Sequence, residues 1–212
     1  MLKLSHASRR DAFAMPARLT SALILLPTLS TGCSRHNDPE NPQKNPHPVQ
    51  RYEVTATVDK ASGPWDEVSS TTFFNVVSLD CTHENKFLGV HIKPTDVPIE
   101  FKMNRMDEKT WKGYFYRDAM LDEDYYGLGV CHWNATSVSV GFTAQGVSFS
   151  SGSLFEYFLK KGAQTEYFKK SNYGDTSLVR YGTQDYSSLD PDVAKHPDAY
   201  FQIAVAVKEV VP

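Results

Sequence analysis

From Arg51 onward the chain repeatedly alternates apolar with polar residues, and that pattern restricts it to folds built from half-buried strands. Tyr52, Val54, Ala56 and Val58 interleave with Glu53, Thr55 and Thr57. Val97, Ile99, Phe101 and Met103 repeat the pattern, as do Val138, Val140 and Phe142, and then Phe201, Ile203, Val205 and Val207. Successive side chains of a strand point to opposite faces, so a period of two puts every apolar residue of a run on one side. Residues 72–81, 87–92, 111–116, 129–134 and 154–159 are further strand candidates.

Turn chemistry separates these runs. Ser62-Gly63-Pro64, His83-Glu84-Asn85, Lys93-Pro94, Gln145-Gly146 and Asn172-Tyr173-Gly174 supply the residues that tight reversals need. Helical signals are confined to residues 104–110 and to residues 190–195, where Pro191 suits a first helical turn. Many short strands with frequent turns predict an all-β domain over residues 51–212, a single β-sandwich or small barrel. Phe, Tyr and Val dominate the apolar residues, which favours strands as well. The net charge of −3 leaves no bulk positive field, so no nucleic-acid partner is expected.

The first fifty residues have a different organisation. Lys3, Arg9, Arg10 and Arg18 precede an uncharged stretch, residues 19–32, that contains Ala22-Leu23-Ile24-Leu25-Leu26-Pro27. Basic residues, a short apolar run and then small residues form the layout of an export signal, and the run is too short to span a bilayer. Met15 offers a second start with a more compact signal, and Ser8-Arg9-Arg10 resembles a twin-arginine signal with its Phe one place late, at Phe13. The segment Leu29-Ser30-Thr31-Gly32-Cys33 resembles the lipobox of bacterial lipoproteins, with Ser30 where Leu is usual. That resemblance covers the first 33 residues. It implies removal of residues 1–32 and a lipid on the thiol of Cys33. With Ser34 next, it also implies delivery to the outer membrane, facing the periplasm. Residues 34–50 hold Pro39, Pro42, Pro46 and Pro48 among polar residues, a composition expected to form a flexible tether.

If Cys33 carries lipid, Cys81 and Cys131 remain. In an exported protein the simplest arrangement is one disulfide, with two free thiols as the alternative. Trp133 shares the strand face of Cys131 and is expected to pack on that bridge, whereas His132 faces away.

The densest polar cluster holds Asp118, Asp122, Glu123, Asp124, Tyr125 and Tyr126. Three readings are open for it: a solvated connector, a protein-contact loop in which Tyr supplies area at low entropic cost, or a calcium site. The spacing departs from the calcium loop pattern, and no metal or other cofactor is expected. Residues 123–133, Glu-Asp-Tyr-Tyr-Gly-x-Gly-x-Cys-x-Trp, resemble segments of small bacterial lipoproteins, a likeness that brings no activity with it.

A second region, residues 155–186, mixes Phe155, Tyr157, Phe158, Tyr167, Phe168, Tyr173, Tyr181 and Tyr186 with Lys160, Lys161, Lys169 and Lys170. It suits either a hairpin with aromatic core residues and edge lysines or a surface that stacks glycan. His83 and His91 fall short of the three or four ligands that zinc needs. The Ser148–153 stretch lacks the hydrolase elbow, and no P-loop, dinucleotide or His-Glu-x-x-His pattern occurs. The expectation is a non-enzymatic, protein-binding lipoprotein of the cell envelope, in an immunity-type or assembly role. A peptidoglycan-binding lipoprotein is the main alternative, and an envelope hydrolase a more distant one.

Overall fold

The computed structural model describes residues 37–210, and the signal-like segment and Cys33 lie outside the described residues. With strands numbered in chain order, one antiparallel sheet runs β10 (Ala163–Lys169), β11 (Tyr200–Glu209), β1 (Arg51–Asp59), β7 (Thr110–Tyr116), β6 (Met103–Arg105). A second runs β5 (Val97–Glu100), β2 (Glu67–Val76), β8 (Trp133–Ala144), β9 (Val147–Leu154). The two sheets share one core, as the β-sandwich expectation requires. Tyr52, Val54, Ala56 and Val58 of β1 are buried with Phe74, Val138, Val140, Phe142 and Phe149 of the second sheet. Trp111 of β7 meets Phe142 of β8 edge-on at 5.0 Å, and Phe149 of β9 meets Phe201 of β11 at 5.1 Å. Burying a side chain such as Phe142 contributes about 1.5–3 kcal/mol.

The alternation in β8 changes phase partway along the strand. Ala135 is buried, and so are Val138, Val140 and Phe142. The pairing with β2 slips at Phe73/Phe74, where Thr136 is the extra residue and its hydroxyl donates to the Phe73 carbonyl at 3.1 Å. A bulge of this kind turns an odd-numbered apolar set and an even-numbered one to the same side.

Residues 97–103, expected as one strand, are two strands in different sheets. The chain crosses over at Phe101 and Lys102. Ser70 of β2 secures the crossing: its carbonyl accepts the Phe101 N–H and its hydroxyl donates to the Phe101 carbonyl. The helical turn expected at 104–110 is replaced by β6 and a tight reversal. The Asp107 carboxylate there accepts the Lys109 N–H at 2.8 Å. The helix expected near Pro191 is present as α2 (Pro191–Lys195), capped by the Asp190 side chain.

Residues 154–159 are not a strand, and the aromatic region that follows is not a hairpin. Phe155–Lys161 forms helix α1, with Glu156 in its first turn, Lys160 and Lys161 in its last, and Gly162 at positive φ beyond it. Those charges match the helix dipole, and Gly is the residue best suited to that terminal conformation. Phe155 and Phe158 are buried, and Phe155 meets Tyr52 at 5.0 Å.

The segment expected as a tether is partly docked. The Asn45 N–H donates to Ala119 O, the Leu121 N–H donates to Gln43 O, and the Asn45 side chain donates to Asp118 O. Prolines 42, 46 and 48 have no N–H to contribute, so the intervening donors carry the attachment.

Candidate functional site

The residues that tie the chain together outside the main core gather around Cys81 and Cys131, which form the expected disulfide. Cys81 lies in the loop after β2, and Cys131 lies two residues before β8. Val76, Cys81, Tyr125 and Cys131 make a small buried cluster of their own, with Tyr126 and Trp133 packed against it. The Trp133 indole N–H donates to the Tyr125 hydroxyl at 3.1 Å, and the two rings meet edge-on. Burial pushes the Tyr125 hydroxyl above its ordinary titration range, and with less burial the same holds for Tyr126, where the Glu40 carboxylate adds to the effect.

The acidic loop wraps this cluster, and much of its polar capacity is used internally. The Asp118 carboxylate accepts the Val49 and Gln50 N–H groups, each at 2.9 Å. Asp122 accepts the Trp133 N–H at 2.9 Å and pairs with Nδ1 of His132 at 2.7 Å. Asp124 accepts the Gly127 N–H at 2.6 Å and the Tyr126 N–H at 3.2 Å, forming a local turn. Glu123 is bridged through its backbone to Cys131. Tyr125, expected to offer contact area, is only 3% exposed, and Tyr126 is half-buried with its ring on His83. Residues 122–126 are therefore brought together along the disulfide cluster, whereas Asp118 is turned to residues 45–50. A large free Tyr surface is missing because burial over the disulfide competes with exposure and wins.

Exposed apolar side chains surround that wall. Val77 and Leu79 project from the loop carrying Cys81, and Leu128 and Val130 from the loop carrying Cys131. The Val77 N–H donates to the His132 carbonyl at 3.2 Å, which keeps the two loops side by side. Asp80 and Asp122, both exposed, lie among them. Beyond Cys81, β3 (His83–Asn85) and β4 (Val90–Ile92) form a separate two-stranded ribbon. Residues 83–85 were expected as a turn; they are an arm of this ribbon, because the reversal falls at residues 86–89. Its turn exposes Phe87 and Leu88, and Val90 and Ile92 are also exposed. None of these apolar residues belongs to the expected site. Their signal is a Phe-Leu pair between Asn85-Lys86 and Gly89, where a turn leaves no core for it to enter.

The other candidates lie elsewhere. Of the aromatics at 155–186, Phe155, Phe158 and Phe168 are in the core, whereas Tyr157 and Tyr181 remain exposed. A cleft of about 700 Å³ is lined by Trp65, Arg105, Lys109 and Trp111. Lys109 is paired there with Asp59 at 2.7 Å, and both indoles pack against Phe142. His83 and His91 sit on paired strands, and His91 is hydrogen-bonded to Thr82 through Nδ1. Among the described residues no group of three His, Cys, Asp or Glu side chains is placed to hold a metal ion.

Comparison of the chain with protein-family models, with curated proteins and with solved structures returned no significant match.

Proposed function

We propose that the chain is an envelope lipoprotein, anchored through Cys33, whose domain acts as a non-enzymatic protein-binding module. The observation that carries this reading is the set of exposed side chains Val77, Leu79, Leu128 and Val130 on two loops that one disulfide holds together. Exposed apolar side chains on loops held by a rigid scaffold are where protein contacts are commonly built. Asp80 and Asp122 border the patch, so the matching partner surface is apolar with a basic rim. An incoming or self-produced toxin and an envelope assembly component both fit that description.

Glycan binding, the alternative, loses Phe155, Phe158 and Phe168 to the core, which leaves the tyrosines of residues 155–186 as its stacking surface. The test is capture from an envelope extract by the wild-type protein and by Leu79→Glu/Leu128→Glu. Both substituted positions are exposed, so the melting temperature is expected to stay within about 2–4 °C. One protein eluting in near-equal amount with the wild type, and lost with the variant, is the expected result. The same eluate from both proteins would remove the patch from the account.

A further inference from the structure

The β3–β4 ribbon is a poor fit to a purely structural role. It forms a sheet of its own, and its turn carries Phe87, at 95% the most exposed large apolar side chain among the described residues. The turn is nevertheless well made. The Asn85 side chain accepts the N–H groups of Phe87 and Leu88, and the Asn85 carbonyl accepts that of Gly89 at 2.8 Å. Gly89 sits at φ +65°, in the left-handed region that favours glycine. Phe87 and Leu88 are thus held outward by specific hydrogen bonds. Lys86 lies beside them, exposed, and Lys93 stands at the root of the ribbon, bonded to Asn75. From residue 83 to residue 93 the formal charge is +1, with Glu84 opposed by two lysines.

The chain leading back toward Cys33 reaches the domain at the root of this ribbon. The Pro39 carbonyl accepts the Thr95 N–H at 3.2 Å, and the Glu40 carboxylate accepts the Thr95 hydroxyl at 3.3 Å. Thr95 is three residues past the end of β4. Pro39 lies six positions after Cys33, a reach of at most about 22 Å even when fully extended. The ribbon, at ~3.3 Å per residue, carries its tip about 15 Å from the same root. A lipid on Cys33 and the Phe87-Leu88 tip are therefore within range of one bilayer surface.

Resting on the lipoprotein reading above, we infer that the β3–β4 ribbon is a second membrane contact: Phe87 and Leu88 enter the lipid of the bilayer that holds Cys33. Lys86 remains at the headgroups, where a cation is favoured by anionic lipid and its stem covers apolar surface. The contact fixes the orientation of the domain, with the loops of Leu79 and Leu128 held near the membrane rather than free on a swivel.

The test uses the full-length protein, processed in cells and reconstituted into phosphatidylethanolamine–phosphatidylglycerol vesicles whose acyl chains are brominated near the headgroup. Phe87→Trp and Leu88→Trp are compared with Leu189→Trp, a site 88% exposed and outside the lobe, after subtraction of the three native tryptophans. The expected result is emission from position 87 or 88 that is blue-shifted and quenched about twofold, with position 189 unaffected. Unquenched emission at 87 and 88 from protein that still floats with the vesicles would overturn the ribbon inference and leave the anchor standing. A blue shift that appears only in native envelope membranes and not in pure lipid would also overturn it, by assigning the tip to a protein. Protein that fails to float and has an unmodified Cys33 would bring down the lipoprotein reading, and the inference with it.

Discussion

The hydroxyl of Tyr125 accepts the indole N–H of Trp133 at 3.1 Å, and both rings pack on the cluster around the Cys81–Cys131 disulfide. This contact joins the acidic loop to the start of β8, so the loop, the disulfide and the exposed patch behave as one unit. The bridge closes a separation of 50 residues, and in the chain-entropy model such a crosslink contributes about 4 kcal/mol. Cys81→Ala/Cys131→Ala is expected to lose roughly that amount in urea unfolding. Its Trp133 emission should shift to the red, whereas Trp65 and Trp111 stay packed on Phe142. An unchanged midpoint would mean that the lobe holds itself together without the bridge.

Asp118 secures residues 45–50 by accepting two backbone N–H groups on one carboxylate. Asp118→Ala leaves two exposed donors to water and is expected to cost about 1 kcal/mol. Amide exchange at Val49 and Gln50 should accelerate before exchange at β1 does. Equal protection in the variant would show that the segment is held by its other bonds, at Gln43 and Asn45.

Glu166 is buried on β10, with Gln164 donating to it at 2.6 Å. Burial, with the nearby Asp185 carboxylate adding to it, raises the Glu166 carboxyl above its ordinary value. Its folded form therefore holds a proton more tightly than the unfolded chain does. That contribution is complete below the unfolded value of about 4.3 and is lost as pH rises through the raised folded value. Glu166→Gln should thus raise the melting temperature near pH 7 and change it little near about pH 3.5. A variant less stable at both pH values would contradict the assignment of burial as the dominant cause.

The strands of the main core are legible in the sequence because β1, β7 and β11 each bury one face and leave the other largely half-buried. Their side chains report burial directly, with a period of two. Legibility fails where two rules compete. In α1 the apolar residues Phe155 and Phe158 are three apart in a short segment interrupted by Glu156, which suits a helix or a strand alike. Glu156 at one end and Lys160-Lys161-Gly162 at the other were the cues that separate them. At β5 and β6 the alternation is real, but it cannot show that the chain changes sheet at Phe101. The disulfide and the packing of Trp133 on it follow from composition and strand phase. That Tyr125 would fill the remaining space there depends on a contact across eight residues, which no local pattern encodes. The exposed Leu79 and Leu128 are equally silent, since an apolar residue in a short run reads as core.

The proposed lipid anchor is tested by the intact mass of the protein recovered from the envelope of a bacterial host. The expected species begins at Cys33 and carries the added mass of a diacylglyceryl group and an amide-linked acyl chain. A mature chain that starts elsewhere, or a Cys33 of unmodified mass, would contradict it.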